Sequence, residues 1–295
     1  MKLVKIGLLL PVALTVLWTG CDQKKDETSN QPKQATLVYI QWDEGIAYTH
    51  LAANVLETHL GYEVTLISAD LDAAYKAVAE TDADAFMESW QPVLHRSFLE
   101  KYRDHLMDLG SVIDSTQSGL VVPAYMPVDS IRQLRTDSIK SRLNGTITGI
   151  EEGAGIMQTT RKVMSRYELD YRLVSSSGPA MTAALKRAVM NREWIVVTGW
   201  KPHWIFGEWD LKFLKQDPDK KLWREGAIHI VGRKDLMNDK PELARFLSNM
   251  NLSEPQLYDL MISIKKRGEE DDIKNITGRW MREHPELIKK WLPDQ

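Results

Sequence analysis

Leu37-Val-Tyr-Ile-Gln-Trp42-Asp-Glu-Gly-Ile-Ala47 begins as an apolar strand-like run, reaches a tryptophan, and passes into helical spacing. Ile46, Leu51, Val55 and Leu56 carry that spacing on until Gly61 stops it. The same step recurs twice. ADAFMESW (83–90) and EWIVVTGW (193–200) read as buried strands that also end on tryptophan and precede helical patterns. In an open α/β sheet, ligands bind outside the carboxyl ends of the strands, so Trp42, Trp90 and Trp200 are expected to face one crevice. Gathered indole faces suit a quaternary ammonium, which has no N–H to donate and is drawn mainly by the ring quadrupole. The competing reading is three bulky core residues. It weakens when all three fall at equivalent strand ends.

Working outward, YEVTLI (62–67), TITGI (146–150), YRLVS (171–175) and IHIVGR (228–233) read as further strands. Helical patterns cover 71–80, 94–103, 154–167 and 179–190. The remainder from Pro241 to Trp291 is helical, with breaks near Ser253-Glu-Pro255 and around 267–272. GLVVPAYM (119–126) is apolar but holds Pro123, which suits a strand leaving one lobe as a connector. Strands alternating with helices predict an α/β fold of mostly parallel sheets with helices on both faces. Two such blocks joined by two crossings predict two lobes with a ligand cleft between them. Lobe one is expected to be 37–125 plus 232–295, and lobe two 126–231. The second block does not repeat the first in sequence.

With 43% hydrophobic and 27% charged residues, the 295-residue chain has the composition of an ordinary globular protein after its first segment. A net charge of −3 gives no reason to propose a nucleic-acid partner. The acidic run over 268–272 reads as a solvated helix connection. Lys2 and Lys5, then the apolar stretch Ile6 to Leu17, then Thr19-Gly20, form a secretory signal ahead of Cys21. Cys21 is the single cysteine, so an intrachain disulfide is impossible. Its position resembles the lipobox of bacterial lipoproteins, where that thiol is diacylated. The usual Leu three residues ahead is Trp18 here, with Leu17 one further back. The alternative is a plain secreted protein. Residues 22–36 are polar and without hydrophobic period, which predicts a disordered tether.

Thr148-Gly-Ile-Glu-Glu-Gly-Ala-Gly-Ile-Met157 leaves a strand through glycines and enters a helix, whose first N–H groups have no internal partner. Such a turn suits a carboxylate. It fails as a dinucleotide fingerprint, because Gln158 stands where the third glycine belongs and Glu151-Glu152 would repel a pyrophosphate. A simple strand–helix turn is the other reading. His95, five residues after Trp90, can return to the same mouth as a donor, or can be a helix-capping histidine. There is no HExxH, GxSxG, CxxC or P-loop, so neither a catalytic arrangement, a metal nor a cofactor is expected.

WDEGIA (42–47), ESWQPVLH (88–95), GLVVPAYM (119–126), GAGIM (153–157), SSGPAM (176–181) and VTGWKPHW (197–204) resemble the glycine betaine-binding proteins of bacterial osmoprotectant ABC transporters. The resemblance runs from about residue 37 to 291. It implies the two-lobed periplasmic-binding-protein fold, type II, with a closing hinge. It places the tryptophan prism for trimethylammonium on Trp42, Trp90 and Trp200. It assigns the ligand carboxylate to the backbone amides of Gly155 and Ile156 and to His95. Choline receptors of this kind add an acidic residue and a tyrosine, which would be Glu44 and Tyr125. The implied function is a binding protein, not an enzyme, that delivers glycine betaine or proline betaine to the permease and ATPase subunits of an importer. A lipid anchor at Cys21 would hold it on the outer face of the cytoplasmic membrane, the periplasmic side if there are two membranes. A choline or carnitine receptor is the neighbouring alternative, and an exported enzyme on a quaternary-ammonium compound the distant one.

Overall fold

Two three-stranded parallel units flank a pair of long antiparallel strands, and together they make one nine-stranded mixed sheet among the described residues. The computed structural model describes residues 33–268 and 271–293. The expected leader, Cys21 and most of the tether lie outside that range, as does part of the acidic run at 268–272.

The chain opens with β1 (Lys33–Tyr39), α1 (Asp43–Leu60), β2 (Tyr62–Ser68), α2 (Leu71–Ala79), β3 (Ala85–Gln91) and α3 (Arg96–Lys101). It continues through β4 (Leu106–Pro123), α4 (Asp137–Arg142), β5 (Thr146–Thr148), α5 (Gly155–Tyr167), β6 (Arg172–Val174), α6 (Gly178–Asn191) and β7 (Val197–Lys201). Then come α7 (Ile205–Glu208), β8 (Leu211–Phe213) and β9 (Gly226–Arg233). The C-terminal helices are α8 (Leu236–Asp239), α9 (Pro241–Asn249), α10 (Glu254–Lys265), α11 (Ile273–Glu283) and α12 (Pro285–Trp291).

Strand order is β2-β1-β3-β9-β4-β7-β5-β6, with β8 beside β4. The first strand of each unit, β1 or β5, lies between the two that follow it. The units therefore share a topology that their sequences do not reveal. In each, a helix starts just past the central strand, so the heads of α1 and α5 both sit at carboxyl strand ends.

Three expectations are corrected. The sheet is parallel only at its two ends, because β9 and β4 carry the chain back and forth between them and pair antiparallel with β3, with each other and with β7. The strand expected at 119–126 is the tail of an 18-residue strand that starts at Leu106. Its first part escapes the sequence because register shifts between Asp108 and Thr116 break the period of two. Residues 33–36, expected to be tether, are strand: Lys33 to Tyr39 pair with the full length of β2.

α1 is buried along most of its length, with Ala47, Tyr48, Leu51, Ala52, Val55 and Leu56 under the sheet and against α10 and α11. Gly61 takes the left-handed conformation (φ 69°) and its N–H closes the helix on Leu56 O, so this stop is conformational as well as compositional. One hydrophobic cluster gathers α1, β1–β3 and the C-terminal helices, including Phe246, Trp280 and Trp291. A second gathers Leu120, Ile131, Val163, Tyr167 and Trp223. Buried Asp84 joins β1 to β9: it accepts from Thr36 N (2.9 Å), Arg233 Nε (3.1 Å) and Lys240 Nζ (2.7 Å).

Candidate functional site

Trp90 and Trp200 are the penultimate residues of β3 and β7, and each is followed one residue later by a cis X–Pro bond. Trp42 stands three residues past β1, where extended backbone (φ −97°, ψ 145°) makes it the N-cap of α1. The strand therefore ends earlier than the run 37–42 suggests, and the indole is set by the helix start. These three indoles line one pocket with Leu94, His95, Ile150, Gly155 and Ile156. Trp42 and Trp200 lie 6.1 Å apart at 52°, and Trp42 and His95 are also 6.1 Å apart. The cavity between them is narrow, about 20 Å³, far below the roughly 300–1,000 Å³ of drug-sized sites. Its tryptophans are 4–6% exposed and His95 1%.

One side of this aromatic pocket offers hydrogen-bond donors. α5 begins at Gly155 with no side-chain cap, and Ala154 O already takes the N–H groups of Met157 and Gln158. The N–H groups of Gly155 and Ile156 come earlier and have no intrahelical acceptor. Glycine is required at 155, since a Cβ there would stand 2.2 Å from Leu94 O of the opposite unit. His95 is fully buried, and burial lowers its pKa to about 3, so the ring is neutral. Its Nδ1 accepts the Trp90 backbone N–H at 3.0 Å, which assigns the ring proton to Nε2 as a donor.

Behind the indoles lies a layer of carboxylates. Glu44, fully buried, accepts Trp200 Nε1 at 2.8 Å. Glu88, equally buried, accepts Ile40 N at 3.3 Å and occupies space that only Gly45 leaves free, since a Cβ there would meet Glu88 Oε2 at 2.2 Å. Burial and then the charge of Asp43 raise Glu44 to about 8; burial and then Glu44 push Glu88 well above the carboxylate range. Glu151 accepts Trp42 Nε1 at 3.2 Å and Gly178 N at 3.2 Å. Asp43 accepts Trp204 Nε1 at 2.5 Å. Of the three pocket indoles, Trp42 and Trp200 donate to carboxylates, whereas Trp90 Nε1 is buried without a partner among the described residues.

The structure thus brings Trp42, Trp90, Trp200, His95, Gly155 and Ile156 together. It keeps Glu44 out of the pocket lining, behind Trp200. It separates Tyr125 from the group altogether. That hydroxyl donates to Ala188 O (3.1 Å) and Glu193 O (2.5 Å), and the ring packs on the second hydrophobic cluster. Tyr125 is therefore a structural residue here, spent on the end of α6. Among the described residues no group of His, Cys, Asp and Glu is disposed to hold a metal, and no helix is long and apolar enough to cross a membrane.

A mixed α/β fold whose two units meet over a small aromatic pocket with backbone donors is that of a periplasmic-type solute-binding protein. Residues 33–283 match the family described as the substrate-binding domain of the ABC-type glycine betaine transport system, and the chain belongs to that family. It is 37% identical over 153 residues to the glycine betaine/carnitine transport binding protein GbuC of Listeria monocytogenes, a match that covers 51% of this chain and 50% of that protein. Lactococcal OpuAC, solved closed and liganded with glycine betaine, superimposes with a TM-score of 0.82 at 33% identity, over 88% of this chain and all of that one. The glycine betaine/L-proline-binding protein ProX of Borrelia burgdorferi gives 0.81 at 29% identity, over 89% and 97%. The family is one of transport substrate-binding domains, which agrees with the lack of a catalytic motif in the sequence.

Proposed function

We propose that this protein captures glycine betaine, or a close betaine analogue, in the pocket between its two units and presents it to an ABC importer. The observation that carries the reading is the pairing of three indoles with the donors of His95, Gly155 and Ile156 around one small pocket. The indole faces take the trimethylammonium group by cation–π attraction. The two N–H groups at the head of α5 and Nε2 of His95 take the carboxylate, where charge makes each bond stronger than a neutral one. Binding involves no bond making. The ligand binds the closed arrangement better than the open one and so shifts the equilibrium toward closure. The two lobes divide where β4 exchanges β9 for β7, between Thr116 and Gln117, and again ahead of Gly226.

The closed form docks on the permease of the importer. Diacylation at Cys21 supplies two acyl chains, enough for stable anchoring, and the tether after it keeps the receptor at high local concentration near its permease. Calorimetry with glycine betaine, proline betaine, carnitine and choline tests the ligand. Glycine betaine or proline betaine is expected to bind best. Choline binding as tightly as glycine betaine would overturn the carboxylate assignment, and absence of heat with all four would overturn the function. Fractionation of wild type beside Cys21→Ser tests the anchor, and a wholly soluble wild type would refute it.

A further inference from the structure

Trp42, Asp43 and Glu44, consecutive at the head of α1, each form an indole–carboxylate hydrogen bond to the opposite unit. Trp42 Nε1 donates to Glu151 in the β5–α5 turn at 3.2 Å. Asp43 accepts from Trp204 Nε1, just past β7, at 2.5 Å. Glu44 accepts from Trp200 Nε1, in β7, at 2.8 Å. No other stretch of three described residues ties the units together in this way. Two of these indoles are pocket walls, whereas Trp204 lies outside the pocket.

Trp204 is itself held from several sides. Its ring meets Trp209 edge-on at 5.4 Å, and the Lys265 ammonium of α10 lies over its face. His203 links it back to the pocket, edge-on to Trp200 at 5.0 Å, with Nε2 3.6 Å from the Asp43 carboxylate. His203 Nδ1 accepts the Ile205 N–H at 3.3 Å, so its Nε2 carries the proton and faces Asp43.

We propose that Trp42-Asp43-Glu44 is a clasp: the carboxylates of Asp43, Glu44 and Glu151 are positioning residues that touch no ligand, orient the indoles, and hold the units shut. The proposal rests on the reading that the pocket between the units is the ligand site. Its consequence is kinetic. Bonds made only when the units meet slow ligand release and leave capture by the open form almost unchanged. The Asp43–Trp204 bond is the cleanest place to cut, because neither residue lines the pocket.

The test is stopped-flow tryptophan fluorescence with glycine betaine on Asp43→Ala, Asp43→Asn, Trp204→Phe and the Asp43→Ala/Trp204→Phe double variant. Asp43→Ala and Trp204→Phe are each expected to speed release about 3- to 15-fold, the size of one net hydrogen bond at a partly exposed carboxylate, with association within about twofold of wild type. Asp43→Asn keeps an acceptor and should restore most of the slow release. The double variant should be no faster than the worse single one. Release at the wild-type rate in both single variants, or additive effects in the double, would overturn the clasp.

A second measurement needs no change in the pocket. Fluorophores at exposed Met190 and Met237, each replaced by cysteine in a Cys21→Ser background, report the distance between the units. At saturating glycine betaine, Asp43→Ala should show a population at the open distance that wild type lacks; identical distributions would overturn the clasp. If wild type binds no betaine, the functional reading fails instead. The clasp then stands or falls on whether the ligand-free Asp43→Ala protein is more open than ligand-free wild type.

Discussion

Gly155→Ala should separate binding from folding. An added Cβ would lie 2.2 Å from Leu94 O, 2.7 Å from its carbonyl carbon and 2.9 Å from its Cβ. Ordinary contact begins near 3.4 Å, so the β3–α3 turn must retreat by more than an ångström from the head of α5. That turn carries His95, and α5 carries the two backbone donors, so the retreat widens the distance the ligand carboxylate has to bridge. Overpacking of this kind costs about 1–3 kcal/mol. Leu94 and Gly155 belong to opposite units, so the cost falls on the closed state and not on either unit alone. At about 1.4 kcal/mol per decade, the Kd for glycine betaine should rise roughly 5- to 150-fold. Calorimetry gives the Kd, and a thermal melt of ligand-free protein gives the control, expected within about 1 °C of wild type. An unchanged Kd would refute the contact between units. A Tm that falls by several degrees would show that the clash is paid within the fold and not on closure.

Trp42→Ala, Trp90→Ala and Trp200→Ala should each weaken betaine binding, each face being worth roughly 0.5–2 kcal/mol, and Phe replacements should lose less; titration against Trp194→Ala, remote from the pocket, checks this. His95→Ala should cost betaine more than choline, read as a shift in the ratio of their Kd values, because Nε2 has a carboxylate to serve only in the former. Glu44 keeps its proton in the folded protein up to about pH 8 but loses it near the ordinary value of 4.5 when unfolded. Unfolding therefore releases a proton between those values, and the stability of the ligand-free protein should fall as pH rises through that window and level off above it. A bound cation favours the ionised carboxyl, so betaine affinity should rise from about pH 6 to 8 while His95, at about 3, stays neutral throughout. Glu44→Gln should flatten both trends in melts and calorimetry across pH. Asp84→Ala leaves Arg233 and Lys240 without their buried partner and should cost about 3–5 kcal/mol of stability, measured by denaturant titration, with binding intact at low temperature.

The elements that could be read from sequence are those in which one local signal dominates. Gly61 ended α1, the glycines at 153 and 155 introduced α5, and the β-branched run before Trp200 marked β7. Trp42, Trp90 and Trp200 were legible as a group because each closes an apolar run at the same point of a strand–helix step. What stayed hidden depends on partners distant in the chain. The first half of β4 is a strand because β9 lies against it, and its own pattern is interrupted by bulges. Nothing in the sequence names the partners of Asp43, Glu44 and Glu151; only the fold brings them to the indole N–H groups of Trp204, Trp200 and Trp42. Tyr125, which the resemblance to choline receptors offers as a ligand, has its hydroxyl taken up elsewhere in this fold. An exposed-looking tyrosine in an apolar segment can serve a ligand or a helix end, and the carbonyls of Ala188 and Glu193 decide it.

The central claim is that the pocket recognises a positive charge and not merely an apolar shape. Glycine betaine and 3,3-dimethylbutanoate have the same outline and the same carboxylate, and differ in carrying nitrogen or carbon at the centre of the trimethyl group. Calorimetry of the two ligands on the wild-type protein measures that charge directly. Three indole faces predict that glycine betaine binds at least tenfold more tightly, a margin of about 1.4 kcal/mol or more. Equal affinity would contradict the account, and would leave Trp42, Trp90 and Trp200 as the walls of an apolar slot.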